Sequence, residues 1–226
     1  MAQRLGLMTS LPLYWPLDAS FSEIANGDAP VPWQRAALER HYDLELLDTL
    51  SPIAGLSAEA PETDPLAGIE HLAIIQPRGL SPADNVALDS WVRSGGKVLL
   101  VLDPLLTGEY DVPLGDPRRP TDSALVAPVV RRWGLDIRFS FEDLAEEGQR
   151  SLIHRDGVMF ALQAGEILLE SADDASCQLD AETVIARCEV GEGHVTLIAD
   201  AAMFEHLELA GERGEGLAAL VQSAFP

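Results

Sequence analysis

The chain has 226 residues, with 37 acidic against 15 basic side chains, a formal net charge of −22, and a hydrophobic fraction of 47%. That length suits one large α/β domain, and the apolar fraction supplies a core and excludes global disorder. With Lys97 the only lysine, the chain lacks the cationic face that nucleic acids and anionic membrane surfaces require, which leaves a solvated acidic surface, docking to a basic partner or tolerance of a salty environment.

In chain order, Arg4 to Leu13 (RLGLMTSLPL) reads as a first strand running into a long connection with Tyr14, Trp15, Pro16, Phe21, Pro30 and Pro32. Connections of that length without structure of their own tend to be functional or mobile. The start does not read as a signal peptide, because Pro12 and Pro16 interrupt a short apolar stretch after Arg4. The longest uncharged apolar run elsewhere, Val98 to Leu102, is far below the roughly 20 residues needed to cross a bilayer. The expected setting is cytoplasmic, or periplasmic or membrane-associated through a partner.

Trp33 to His41 reads as a helix with Ala36, Ala37 and Leu38 inward, and Asp43 to Leu47 as an edge or half-exposed strand. Ser51 to Gly68 is a loop. His71 to Gln76 is a short apolar run that suits a strand buried on both faces. Ser81 then caps a helix, with Pro82 at the first helical position and Asp84 completing a capping box. Leu88, Trp91 and Val92 form its apolar face, with Asp84, Asn85, Asp89 and Arg93 directed elsewhere. Gly95-Gly96 ends the helix, and Lys97 to Leu102 is a second buried strand closed by Asp103-Pro104. A strand, helix, strand of this length is a right-handed crossover between parallel strands.

Thr107 to Thr121 is another long polar connection. Asp122 to Trp133 is a helix in which Pro128 makes a kink or marks the real start, and Leu135 to Phe139 is the next strand. From about Asp143 the pattern turns to short strands, SLIH, VMFAL, EILLE, TVIARCEV and HVTLIAD, with Asp156-Gly157 as a hairpin turn. Two short helices follow, Ala202 to Glu208 and Gly216 to Phe225. The expected fold is α/β, a three-layer sandwich with a mainly parallel central sheet and antiparallel strands in the C-terminal part. Residues 1–226 form one domain, with 143–199 its β-rich elaboration.

The run QPRGLSPADNVALDSWVRSGGKVLLVLDP, with VVRRWGL from Val129 and GEGHVTLIADAAMF from Gly191, resembles the auxiliary component of gliding-motility-type ABC transporters. The resemblance implies a soluble domain with the class I glutamine amidotransferase-like or flavodoxin-like fold and without amidotransferase chemistry. It implies permease or ATPase subunits of an ABC transporter as partners. Family members are often tethered beside membrane helices, a pattern from which this chain departs.

In an open α/β sheet, ligands bind outside the carboxyl ends of the parallel strands. That rule selects Thr9, Ser10, Gln76, Arg78, Asp103 and Asp200 as ligand-binding residues, with Tyr14 and Trp15 as a lid from the same edge. Asp103 and Asp200 each end a hydrophobic strand, so they could share a cation or an acid/base task, or each could cap the turn that follows. Amidotransferase chemistry needs a cysteine on a sharp strand-to-helix turn. The turns Gln76-Pro77-Arg78-Gly79 and Asp103-Pro104-Leu105 offer neither Cys nor Ser. His206-Leu207-Glu208 resembles the His-x-Glu of that enzyme fold but has no nucleophile to activate.

No metal or cofactor is expected. Cys177 and Cys188 lack metal-ligand spacing, and no two of the five histidines have a chelating one. The two cysteines could bridge neighbouring strands, though two reduced buried thiols is the more ordinary reading. The expected function is that of a non-catalytic auxiliary or binding domain of an ABC-type transport system, holding a partner protein or small polar ligand at the strand-end crevice. The alternative is a divalent-cation-dependent hydrolase or transferase using Asp103 and Asp200.

Overall fold

The computed structural model describes residues 3–55, 57, 61–139, 151–155, 158–162, 164–172, 174–180 and 184–225. Its centre is a seven-stranded sheet in the order β2-β1-β3-β4-β11-β10-β9. The strands are β1 (Gln3–Thr9), β2 (Tyr42–Leu46), β3 (His71–Ile75), β4 (Lys97–Val101), β9 (Ala175–Asp180), β10 (Ile185–Val190) and β11 (Gly193–Ile198). The pairs β2-β1, β1-β3, β3-β4 and β4-β11 are parallel, while β10 runs antiparallel to both β11 and β9. The chain is therefore α/β with a mostly parallel sheet and an antiparallel edge.

Alternation along the inner strands feeds two apolar layers. Leu5, Leu7, Ala73, Ile75, Leu99 and Val101 face α2 (Trp33–Glu39) and α7 (Glu215–Ser223) through Ala37, Leu38, Leu217 and Val221. Leu72, Ile74, Val98, Leu100, Val195 and Leu197 face α3 (Pro82–Arg93) and α4 (Pro128–Arg132) through Leu88, Val92, Val129 and Val130. Every residue of β3 is buried, as expected for a strand covered on both faces.

The capping box of α3 forms as expected, with Ser81 Oγ accepting from the Asp84 N–H and Pro82 in the first turn. Asp84, however, does not point to solvent. It is buried, and its Oδ1 accepts from Thr49 Oγ1 and from the Leu50 and Ser51 N–H groups, so the cap also fastens the loop after β2. The α3 terminus is pressed closely by the β10-β11 turn, where a Cβ on Gly193 would overlap the carbonyl oxygens of Val92 and Gly96.

Several boundaries differ from those read in the sequence. The first strand ends at Thr9, because Thr9 Oγ1 accepts the Leu11 N–H and turns the chain, although Leu11 and Leu13 remain buried. The long connection after it contains α1 (Phe21–Asn26), opened by a Ser20-Glu23 capping box. The helix expected from Asp122 begins only at Pro128, so the proline marks its start. The next strand, β5 (Leu135–Arg138), leaves the central sheet to pair with β8 (Glu166–Leu169).

β6 (Ser151–Arg155) and β7 (Val158–Leu162) pair antiparallel, and β7 lies against the C-terminal helices. The Asp156-Gly157 turn between them lies outside the described residues. Two C-terminal helices were expected and three form: α5 (Ala202–Glu205), α6 (Leu207–Ala210) and α7. β9 has no counterpart in the sequence reading. Cys177 on β9 stands directly opposite Cys188 on β10 and is joined to it by a disulfide, so the pair is not two reduced thiols.

Candidate functional site

The carboxyl ends of β1, β3, β4 and β11 converge on a polar knot whose centre is Gln76. This residue follows β3 with φ 44°, the only positive φ of a non-glycine among the described residues, and it is fully buried. Its amide nitrogen donates to the carbonyls of Asp103 (3.0 Å) and Thr121 (2.9 Å), and its Oε1 accepts the Asp103 N–H (2.8 Å). Its own carbonyl accepts from the Ser10 backbone N–H and from Ser10 Oγ. Ser10 Oγ in turn accepts the Thr121 N–H at 3.1 Å. The connection after β4 is thereby drawn across the strand ends and closes them.

Asp103 and Asp200 meet beneath this connection, 2% and 3% exposed. Both Asp103 oxygens accept backbone N–H groups, from Leu105 and from Ala201, each at 2.8 Å. Asp200 Oδ1 accepts the Ala202 N–H at 2.7 Å. Burial pushes the Asp103 carboxyl up to about 7 against the pull of its two N–H bonds, with the nearby Glu205 charge adding to the rise. Burial also raises Asp200 well above the usual carboxylate range, and the Asp103 charge raises it further. The pair therefore resists carrying two charges at neutral pH.

Glu205, at the end of α5, ties the same connection down from outside. Its Oε1 accepts from the Gly108 N–H (2.9 Å) and the Tyr110 hydroxyl (2.5 Å), and its Oε2 accepts the Thr107 N–H (3.0 Å). Burial raises the Tyr110 hydroxyl pKa, and the Glu205 carboxylate raises it further, so this phenol stays a donor. His206 Nε2 lies 2.8 Å from Thr107 Oγ1 and its Nδ1 is 3.6 Å from Glu208. The His206 and Glu208 side chains are thus near each other but beyond hydrogen-bond distance. Trp33, Tyr110, Glu205, His206 and Glu208 line a cleft of about 600 Å³, a size that suits a small polar ligand.

The residues expected at the strand ends divide into three groups. Ser10, Gln76 and Asp103 come together, with Asp200 beside them, but their polar atoms are engaged in internal bonds. Thr9 is half-buried and caps its own turn. Tyr14 and Trp15, expected as a lid, make internal contacts: the Tyr14 hydroxyl donates to the Leu7 and Leu47 carbonyls, and the Arg35 guanidinium lies 5.3 Å from the Trp15 ring centre. Arg78 is exposed two residues beyond the knot. Among the described residues, no cluster of three or more His, Cys, Asp or Glu could hold a metal ion. Thr107, Tyr110 and Glu205, which shape the open cleft, were not singled out from the sequence. Contacts across 95 to 98 residues leave no local pattern to read.

No protein-family model and no curated protein matches the chain. Among solved structures, the mmIFT52 N-terminal domain is similar over 98% of this chain and 96% of its own, with 11% identity and a TM-score of 0.52. The exo-beta-1,4-mannosidase Op5Man5 from Opitutaceae bacterium strain TAV5 is similar over 98% of this chain, with 14% identity and a TM-score of 0.50. The beta-galactosidase from Rahnella sp. R3 is similar over 99%, with 11% identity and a TM-score of 0.50. The chain spans about a third of the length of these two glycosidases, at 35% and 31%. At such identities the likeness is one of fold alone.

Proposed function

We propose that this chain is a non-catalytic binding module of an ABC-type transport system, built on a class I glutamine amidotransferase-like scaffold. It holds a basic partner protein, or a small polar ligand, at the carboxyl edge of the sheet. The observation that carries this reading is Gln76. The strained strand-to-helix turn after β3 is where an amidotransferase would present its nucleophile. Here the left-handed residue is a glutamine whose amide is bonded into the fold. The open surface left at this edge is the cleft beside Trp33 and His206.

The excess of negative charge favours a basic partner surface through long-range attraction that salt weakens. Among the described residues no helix is long and apolar enough to cross a membrane, and permease or ATPase subunits are the partners of this reading. Fold likeness does not choose the role, since one scaffold hosts enzymes and inert relatives alike. The test is binding of the purified chain to its cognate ATPase and permease subunits, together with a calorimetric metabolite screen. The reading predicts saturable, salt-sensitive binding in one arm that weakens in a Trp33→Ala/His206→Ala variant. Silence in both arms, together with a hydrolase activity that Asp103→Ala abolishes, would overturn it.

The proximity of Asp103 and Asp200, each raised by burial and Asp200 further by the Asp103 charge, favours one second reading, a cation-dependent hydrolase or transferase. Against it, both oxygens of Asp103 and one of Asp200 already face backbone donors. Titration with Mg²⁺, Mn²⁺ and Ca²⁺ separates the two, because the enzyme reading requires heat of binding or a thermal shift.

A further inference from the structure

Gln34 stands on α2 in the wall of the cleft, next to Trp33, and is only 7% exposed. Its amide nitrogen donates to the Phe204 carbonyl at 2.8 Å. A carbonyl only accepts, so this contact fixes which end of the amide is nitrogen and leaves Oε1 at the cleft wall without a hydrogen-bond partner among the described residues. Polar atoms of buried side chains are nearly always paired, so an open acceptor there marks the place of a donor.

The chemistry of that donor follows from its surroundings. Glu109, Glu205 and Glu208 line the same cleft, and among the described residues no lysine or arginine does. Glu205 spends its oxygens on neutral N–H and O–H donors, so its charge stays uncompensated. Glu109 and Glu208 are exposed, and even a protonated His206 would offset only one charge of the three. Arg35, Arg118 and Arg119 do not supply the balance, because they are paired with Glu39, Asp116 and Asp122. A cleft of this sign draws in a cation. Arg35 and Arg119 already lie over the Trp15 and Tyr110 rings, 5.3 and 5.9 Å from their centres, whereas no cation among the described residues lies over Trp33. A guanidinium stacks flat on an indole while its N–H groups reach several oxygens in its own plane, which a compact, strongly hydrated ammonium does not do.

We propose that this cleft takes a guanidinium group, laid against the Trp33 indole, donating to Gln34 Oε1 and held by the charge of Glu109, Glu205 and Glu208. The inference rests on the binding role proposed for the carboxyl edge, and it narrows the ligand to an arginine side chain of a partner or a small guanidino compound.

The probes are the end-capped tripeptide Gly-Arg-Gly and ethylguanidinium, each with a single positive charge, and the control is the same tripeptide with citrulline, which keeps the shape and loses the charge. The readout is the Trp33 indole N–H resonance of the whole chain, assigned with Trp33→Phe. Saturable movement with at least one guanidinium probe is expected, with the citrulline peptide at least about tenfold weaker. Tighter binding of the peptide supports an arginine of a partner, and tighter binding of ethylguanidinium supports a small guanidino compound. Glu109→Gln/Glu208→Gln should weaken the better probe about threefold or more, and Gln34→Met, which removes Oε1 at similar volume, about tenfold. A Trp33 signal that neither guanidinium probe moves, equal binding of the arginine and citrulline peptides, or undiminished binding by a folded Gln34→Met variant would each overturn the proposal. If Gln34→Met fails to fold, the Glu109→Gln/Glu208→Gln variant and the citrulline control decide the matter. Binding of the transporter subunits or of a metabolite with both probes silent would overturn the guanidinium site alone and leave the binding role standing.

Discussion

Replacing Asp103 with asparagine should make the protein's stability less dependent on pH, in a direction fixed by the buried carboxyl. Asp103 rises from an ordinary 3.8 to about 7 on folding. Between those values the folded chain keeps a proton that the unfolded chain has released, so stability falls as pH rises from 4 to 7 and the loss is complete above 7. Integrated over that shift, the ionisation cost is about 2 kcal/mol at pH 5 and about 4 kcal/mol at pH 8. Asparagine carries no such cost. It loses one of the two acceptors now used by Leu105 and Ala201, but that loss is the same at both pH values and cancels in the comparison. Removing the Asp103 charge also eases ionisation of Asp200, which acts in the same direction. Urea unfolding followed by tryptophan fluorescence should therefore show the stability of the variant, relative to the parent, improving by about 2–3 kcal/mol between pH 5 and pH 8. A difference that stays constant across that range, or moves the other way, refutes the account of the buried pair.

Gln76→Ala strips three side-chain bonds from the strand-end knot and should cost about 2–4 kcal/mol in urea unfolding at unchanged m; Gln76→Gly should be about 1 kcal/mol less damaging, since glycine accepts the φ of 44°. Asp84→Ala removes the carboxylate half of the α3 capping box, which accepts from the Ser81 N–H, and releases the loop after β2, an expected loss of about 3 kcal/mol, and hydrogen exchange at the Leu50 and Ser51 amides should accelerate with it. The unreduced chain should show no free thiol in a denaturing thiol assay, and reduction of Cys177–Cys188, which closes a span of 11 residues, should lower stability by about 3 kcal/mol.

The unit from His71 to Pro104 was legible because each of its boundaries is written locally: a capping box, a proline at the first helical position, and paired glycines before an apolar strand. β9 was not legible. Its sequence, ASCQLD, does alternate apolar and polar residues, but Leu179 is its one large apolar side chain and is itself exposed, so the local signal is weak and the strand is held at the sheet edge by β10 and a disulfide. The strand-end rule found Ser10, Gln76, Asp103 and Asp200, but a rule about position says nothing of where a side chain turns. Tyr14 shows the same limit, since its hydroxyl folds back onto Leu7 and Leu47. Gln34 was passed over because it stands on a helix, where that rule does not look.

The strain at Gln76 bears on how the carboxyl edge works. A non-glycine residue in the left-handed region persists only where its surroundings overdetermine it. In α/β-hydrolases a strained strand-to-helix turn exposes the nucleophile. Here the same turn aims an amide at two carbonyls and one N–H of the connection that crosses the strand ends, and Ser10 and Thr121 complete the tie. With the crevice closed by the protein's own backbone, the accessible surface moves outward to the cleft where Glu205 grips Thr107, Gly108 and Tyr110. Gln76 and Asp103 then act by fixing the wall of that cleft through the connection they hold. On the binding role proposed above, loosening the knot should disturb binding at the cleft without removing any group that touches the ligand, whereas the Trp33→Ala/His206→Ala variant removes contacts directly and leaves the knot intact.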